Sequence, residues 1–348
     1  MQYKILVTAL AALCAGSGVA RADDLDLAFS GKMYADVTHL DRNISDAGKG
    51  DDSGFGIDVR RFYLTVNPKF DPVWSANLTT DFKYVQGDGL TNLYVKKAYL
   101  QGVFSRAAVL RVGSADLPWV PMVEHYYGYR YVENTLIDRL KFGTSADWGL
   151  HLGGAFGSTG RFNYAVSVVN GGGYKHPDRS QSVDVGARIG FSPIDGLQIA
   201  LGGYTGKLGK DTASVDTAHT AKRTDALVAW SKDGLRVGGE YFHADNWNKV
   251  LSTLSDSADG YSLWASQDFG KRYAVFARYD RAAPSKELDP AASDRYLNLG
   301  FQYQVNKAIK LAAVYKHDQR EYTAATPAPE HRSGTRSNEV GLWGEVKF

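Results

Sequence analysis

Residues 339–348, EVGLWGEVKF, decide the fold. Successive side chains of a β-strand point to opposite faces, so every second residue of this stretch shares a face. One face is mostly apolar and the other mostly polar: Val340, Leu342, Gly344, Val346 and Phe348 against Glu339, Gly341, Trp343, Glu345 and Lys347. A strand of about ten residues with this alternation is what a transmembrane β-barrel uses to separate lipid from a watery interior.

The same alternation recurs along the chain and predicts sixteen strands, an even number, as bacterial single-chain barrels have. They are predicted near residues 25–38, 54–70, 73–86, 93–104, 107–114, 141–156, 161–170, 181–192, 196–206, 223–231, 235–245, 258–269, 272–281, 293–305, 308–318 and 336–348. In 54–70 the parity flips at Arg60-Arg61. That flip predicts either a β-bulge or a strand end that rises above the lipid.

The connections between these strands alternate in length. Short turns such as Asp71-Pro72 and Gly270-Lys271 alternate with longer polar stretches at 39–53, 87–92, 115–140, 171–180, 207–222, 246–257, 282–292 and 319–335. Short periplasmic turns and long outer loops are typical of outer-membrane barrels. We therefore predict an all-β fold, a transmembrane antiparallel barrel of about sixteen strands, which is wide enough to enclose a water-filled lumen.

The first residues indicate export. Lys4, an apolar run over 5–15 and Ala20-Arg21-Ala22 predict a signal peptide over 1–22, cleaved before Asp23, with the barrel over 23–348. Lipidation at Cys14 is the alternative, although Leu13 is not the small residue it needs. The predicted mature chain has no cysteine and 38 basic against 38 acidic residues, because the signal contains two basic residues and no acidic one. This neutral balance argues against nucleic acid as a partner.

The longest connection, 115–140, has an unusual composition for a loop in water. It opens with seven apolar residues, 117–123, and continues with four tyrosines within 126–131. Long loops of this kind are usually functional. We expect it to fold into the lumen as a constriction, with three cations opposed by three acids: Arg130, Arg139 and Lys141 against Glu124, Glu133 and Asp138. An external flap that packs on its neighbours is the alternative.

Three segments in the first half of the chain resemble the phosphate-selective porin O and P family. Residues 59–64, VRRFYL, resemble its second strand, 93–100, LYVKKAYL, its fourth, and 109–113, VLRVG, its fifth, just ahead of a long third loop. Terminal Phe348 resembles the assembly signal of outer-membrane proteins. The resemblance extends over about the first 160 residues. It implies a sixteen-stranded porin, assembled as a homotrimer, whose third loop folds inward.

Strand parity and the resemblance together indicate which residues line the pore. They are Lys97, Arg111, Arg130, Arg139, Lys83, Arg61, Arg188, Glu124, Asp81 and Tyr129. Because both charge signs occur among them, we expect a weakly anion-preferring porin for small hydrophilic solutes in contact with outer-membrane lipid, with phosphate or other small anions as solutes. A pore for neutral polar solutes such as sugars and a non-conducting structural barrel are the alternatives.

Enzymatic and metal chemistry find little support in the sequence. It contains no Gly-x-Ser-x-Gly elbow for a hydrolase nucleophile. The histidines are scattered, without the paired spacing of a metal site, and only His151 is predicted to point into the lumen from mid-strand. We therefore expect a non-enzymatic protein with no cofactor, in which His151 is a pore-lining polar residue, with general base as the alternative.

Overall fold

A computed structural model describes residues 26–44, 53–85, 90–157, 159–323 and 332–348. The predicted signal peptide, 1–22, its cleavage site and Cys14 lie outside these residues. Sixteen strands are described: β1 (Asp26–Ile44), β2 (Gly54–Lys69), β3 (Trp74–Val85), β4 (Leu90–Ser105), β5 (Ala108–Asp116), β6 (Ala146–Phe156), β7 (Phe162–Val169), β8 (Asp184–Phe191), β9 (Leu197–Gly206), β10 (Ala221–Lys232), β11 (Leu235–Asp245), β12 (Ser257–Phe269), β13 (Tyr273–Ala283), β14 (Ser293–Gln304), β15 (Ile309–Thr323) and β16 (Arg332–Lys347).

The strands close into one antiparallel barrel in which each strand pairs with its neighbours in sequence. Closure is made by β1 and β16, which run in register from Lys32 opposite Lys347 to Ile44 opposite Thr335. Beyond that ladder, the Gly31 and Phe348 backbones exchange hydrogen bonds of 2.6 and 3.1 Å. A closed sheet leaves no unpaired edge, which a bilayer would penalise. The predicted sixteen-stranded barrel is confirmed.

The alternation that predicted the strands separates two environments in the structure. Along β14, Leu297, Leu299 and Phe301 are exposed on the outer surface, whereas the intervening Asn298 and Gln302 are buried on the inner face. Exposed large apolar side chains recur on the outside of strands around the barrel. This outer surface suits lipid, and the inner surface presents polar groups to the lumen.

Two β-bulges interrupt the alternation on either side of β3. In β2, the pairing with β1 skips Arg60, and in β4 the pairing with β3 skips Lys96. A bulge sets two successive residues opposite one partner residue, so both can project to the same face. The bulge in β2 lies at the parity flip and is the first of the two explanations that the sequence left open. The bulge in β4 was not predicted.

The third long connection, 117–145, contains two short helices, α1 (Val120–Tyr127) and α2 (Leu136–Arg139). Neither helix of the described chain is long and apolar enough to cross a membrane. The connection folds inside the barrel, as predicted. It is also longer than predicted: β6 begins at Ala146 and not near 141, because Lys141 adopts the left-handed φ of 63°, which extended strands do not use.

Candidate functional site: the loop inside the barrel

We call residues 117–145 the inner loop. Its apolar side chains pack on one side of the barrel wall. Val120, Val123 and Tyr127 of α1 and Leu136 and Ile137 of α2 are each at most 2% exposed. Their neighbours in the same cluster come from β1, β9 to β13, β15 and β16 and include Leu227, Phe242, Trp264, Phe276 and Trp343. Burial of this apolar surface, at roughly 25 cal/mol per Å², fixes the inner loop to that half of the wall.

Wall carboxylate and amide groups anchor the inner loop at several points. Glu240 of β11 accepts hydrogen bonds from the Trp119 indole N–H at 3.3 Å and from the Leu136 backbone N–H at 3.2 Å. Asn298 donates to the Tyr127 hydroxyl at 3.0 Å. Buried polar groups need such partners, because leaving one unsatisfied costs about 1–3 kcal/mol. The wall is therefore complementary to the loop in polarity as well as shape.

Arg139 lies in the strongest of these anchors. Its guanidinium is 3.1 Å from Asp280, 2.5 Å from Asp294 and 3.6 Å from Asp318, and its side chain is 5% exposed. Arg278 of β13 bonds the same Asp280 at 2.7 Å and also donates to a carbonyl of the loop. Arg139 was predicted to line the constriction; it borders the cavity described below, but its charge is taken up by carboxylates from three different strands.

The tyrosines of the inner loop were also predicted to face a passing solute, and most of them do not. Tyr129 is 5% exposed and stacks on Phe276 with ring centroids 4.0 Å apart. Tyr131 is buried and donates its hydroxyl hydrogen bond to Gln302 at 2.9 Å. Amphipathic rings of this kind bury their faces and bond through their hydroxyls. They hold the loop in place.

The other side of the inner loop faces the opposite wall across a cavity of about 420 Å³, which we call the vestibule. Among the described residues that line it are seven cations and three acids: Arg61, Lys96, Arg130, Arg139, Lys141, Lys175 and Arg320 against Glu133, Asp138 and Asp318. Both bulged strands contribute to this lining. The vestibule is therefore a basic space bounded by the charged side of the inner loop, the bulged strands β2 and β4, residues 172–176 and β15.

Ion pairs fix the positions of two arginines that line the vestibule. Arg130 lies 2.6 Å from Glu124 and 3.5 Å from Asp138, within the inner loop. Arg61 lies 2.6 Å from Asp81, across β2 and β3. Lys96 differs from these arginines: among the described residues no carboxylate lies within 4 Å of its ammonium, which sits 5.0 Å from the centre of the Tyr63 ring. A cation over an aromatic face keeps its full charge.

Glu133 shows how strong the local field is. Burial raises the pKa of this loop carboxyl, but the attraction of Lys316, 3.4 Å away, and of Arg60 outweighs burial and holds the pKa well below the ordinary 4.5. A carboxyl next to opposite charges stays ionised over a wider pH range. Glu133 is therefore a fixed negative group that binds the loop to β15.

Four further predicted pore-lining residues lie on the wall strands. Lys97 is 2.6 Å from Asp116, and Arg111 donates to Gln101 at 2.8 Å. Arg188 donates to the Pro118 carbonyl at 2.9 Å and so supports the beginning of the inner loop. Lys83 lies in β3, and its side chain is outside the described part of the chain. The structure thus brings Arg61, Asp81, Glu124 and Arg130 close to the vestibule, with Lys97 and Arg111 bonded to other wall groups.

Sequence reasoning missed two basic residues, Arg60 and Lys96. Arg60 reaches Asp36 at 3.4 Å and the Val132 carbonyl of the inner loop at 3.2 Å. Because successive residues of a regular strand face opposite sides, the sequence predicts that only one residue of each adjacent pair, Arg60-Arg61 and Lys96-Lys97, faces the lumen. The parity flip in 54–70 could have identified Arg60. For Lys96 the available signal was the pair of adjacent lysines followed by Ala98 and Tyr99.

Solved structures of outer-membrane channels have the same fold. The outer membrane channel DcaP of Acinetobacter baumannii aligns with a TM-score of 0.65 at 13% identity, over 95% of this chain and all of that one. An anion-selective porin from Comamonas acidovorans aligns at 0.62 and 13%, over 93% and 100%. OmpF of Salmonella typhi aligns at 0.61 and 11%, over 92% and 97%. The fold is thus the sixteen-stranded barrel of bacterial outer-membrane porins. No family model and no curated protein sequence matches the chain.

Proposed function

We propose that this chain is an outer-membrane porin through which small hydrophilic solutes diffuse passively, with a modest preference for anions. The observation that carries the proposal is the basic vestibule between the inner loop and the bulged strands β2 and β4. An interior loop that leaves a charged space beside it narrows a lumen without closing it. Charged rings at a narrow point select ions, because the low-dielectric wall concentrates their field.

The preference is expected to be modest because part of the positive charge is compensated. Arg139 is neutralised by wall aspartates, and Arg61 and Arg130 have carboxylates within 3 Å. Lys96 and Lys141 are the vestibule cations for which no carboxylate lies within 4 Å among the described residues. Two such charges bias passage toward anions without a dedicated phosphate site. Phosphate is therefore one candidate solute among small anions, in keeping with the resemblance to the phosphate-selective porins.

The proposal extends to the location of the protein and to its oligomeric state. An exposed apolar outer surface supports residence in the outer membrane of a Gram-negative bacterium, after export by the predicted signal peptide. A homotrimer is proposed from the resemblance and agrees with a trimer form among structures of similar fold, that of OmpT, an outer membrane protein of Vibrio cholerae.

A channel role also fits the serine–histidine hydrogen bond that the described residues contain on the inner wall better than catalysis does. His151 Nδ1 is 2.8 Å from the Ser167 hydroxyl, and Nε2 is 3.2 Å from the Gly113 carbonyl. His151 is 4% exposed and Ser167 2%, so a substrate carbonyl has no approach to the hydroxyl. We assign the pair to cross-strand bonding between β5, β6 and β7.

Planar-bilayer recording tests the proposal. Insertion of the refolded mature chain should produce discrete conductance steps. In a tenfold KCl gradient, the reversal potential should have the sign expected when chloride permeates more readily than potassium. Uncharged sugars should enter proteoliposomes more slowly as their size increases. A barrel that inserts without conducting would indicate a structural role, and clear cation preference would contradict the assignment of the basic vestibule to the conduction path.

A further inference from the structure

A second cavity adjoins the vestibule behind the inner loop. It has a volume of about 200 Å³ and lies between both ends of the loop and strands β8 to β10. Its apolar part, which we call the slot, is lined chiefly by Leu117, Pro118, Trp119, Tyr204, Leu208 and Trp247. Apolar cavities of about 150 Å³ are known to hold benzene. The slot therefore has room for one aromatic ring.

The slot is open at Gly186, where the wall lacks a side chain. Gly186 of β8 faces Tyr204 of β9 across the ladder. A Cβ atom placed on Gly186 would lie 3.3 Å from the Tyr204 ring and 3.6 Å from Pro118 Cδ. A larger side chain at this position would occupy the slot. The rings of Tyr204 and Trp247 pack on each other with centroids 5.2 Å apart, and Arg223 lies over both; their remaining surface gives the slot an aromatic side.

One cation lies where the slot meets the vestibule. Lys141 lines both cavities, and among the described residues no carboxylate is within 4 Å of its ammonium. Its left-handed backbone, φ 63°, is held by Trp247, whose indole N–H donates to the Lys141 carbonyl at 3.1 Å. Non-glycine residues in this region cost energy and cluster at functional sites. Arg223, the other cation of the slot, is already bonded to Asp225 at 2.7 Å.

From this arrangement we propose that the slot and Lys141 form a binding subsite for aromatic monocarboxylates, with the ring in the slot and the carboxylate on Lys141 at the edge of the vestibule. The proposal rests on the proposed porin function, since it names a preferred solute of the same lumen. An ion without an apolar part gains nothing from the slot, and a neutral ring gains nothing from Lys141. Molecules with both parts should therefore reside longest beside the inner loop.

Block of the chloride current in planar bilayers tests the subsite, with benzoate, acetate, inorganic phosphate and benzyl alcohol as probes on the mature protein. Benzoate should halve the current at a concentration at least about tenfold below acetate, because burying a ring removes roughly 100 Å² of apolar surface from water. Benzyl alcohol, which has the ring without the charge, and phosphate, which has charge without a ring, should also block at least about tenfold less well.

Two variants locate the effect. Gly186→Leu should fill the slot and make benzoate no better than acetate. Gly153→Leu is its matched control: Gly153 lies two residues along β6 from the inward His151, and its Cβ would have a similarly close neighbour, at 3.2 Å. Lys141→Asn removes the charge but tolerates the left-handed backbone. It should weaken benzoate block at least fivefold and leave benzyl alcohol unchanged.

The outcomes separate this proposal from the porin function. Open channels in which benzoate and acetate block equally would overturn the subsite and leave the porin intact, whereas absence of channels would overturn the porin function itself. Benzoate block that survives both Gly186→Leu and Lys141→Asn would place the ring elsewhere and overturn the subsite as described. If Gly186→Leu does not insert, Lys141→Asn and the benzyl alcohol comparison decide.

Discussion

Replacing Arg139 by methionine should release the inner loop from the wall without unfolding the barrel. Removing one partner of a buried ion pair costs about 3–5 kcal/mol, because the remaining charge is left uncompensated. The cost should lie at the lower end of this range, because both aspartates retain another partner: Arg278 lies 2.7 Å from Asp280 and Arg320 lies 3.1 Å from Asp294. A loss of about 3 kcal/mol lowers the ratio of docked to undocked loop by roughly 150-fold.

Amide hydrogen exchange measured by mass spectrometry reads this ratio directly. In the Arg139→Met protein, peptides covering 117–145 should exchange roughly 100-fold faster, while peptides of β12 to β14 keep their protection. Arg130→Met is the matched control, because Arg130 bonds Glu124 and Asp138 inside the loop, at partly exposed sites. It should change loop exchange by less than about fivefold. Equal acceleration in the two variants would refute the division of roles between these arginines.

Three further predictions concern pH, selectivity and folding. Because the pKa of Glu133 lies below its ordinary 4.5, its stabilisation of the docked loop should be complete above about pH 4.5 and decrease as the pH falls toward the lowered value. Loop protection factors, which are corrected for the intrinsic pH dependence of amide exchange, should therefore fall from pH 6 to pH 3, and unchanged factors would contradict this. Lys96→Gln should shift the reversal potential in a KCl gradient toward cations, and more than Lys97→Gln does, because Lys97 has a carboxylate partner. Gly113→Ala should destabilise the barrel by about 2–5 kcal/mol, because the added Cβ would lie 2.1 Å from a backbone oxygen and the backbone has a φ of 123°. The barrel should then lose its heat-modifiable mobility at a lower temperature. Gly56→Ala is the control, because Gly56 has open space around it, and it should leave that temperature unchanged.

The barrel was predictable because lipid on the outside favours apolar side chains and water on the inside favours polar ones, at alternate positions of each strand. The alternation of residues 339–348 therefore repeats in most strands. The inward fold of 117–145 was also predictable, because this loop begins with apolar residues that a loop on the outer surface would expose to water. These two features follow from local composition alone. The predicted strand ends deviate most at β1, which continues to Ile44, at β6, which begins only at Ala146, and at β15, which continues to Thr323.

The detail of the site depends on contacts that sequence spacing does not encode. Arg139 was predicted at the constriction opposite acids of its own loop, but the aspartates that compensate its charge lie 141 to 179 residues further along the chain, on β13 to β15. The bulge at Lys96 inverts one step of the alternation within an otherwise regular strand. Tyr129 faces the wall because Phe276 offers a ring to stack on.

We propose that solutes pass through the vestibule, between the inner loop and the bulged strands. Lys96→Cys tests it most directly, because the predicted mature chain has no other cysteine with which a thiol reagent could react. A bulky methanethiosulfonate added to the open channel should lower the current through Lys96→Cys in discrete steps, and Leu263→Cys, on the outer face of β12, should show no such steps. Complete modification of Lys96→Cys with unchanged current would contradict the claim.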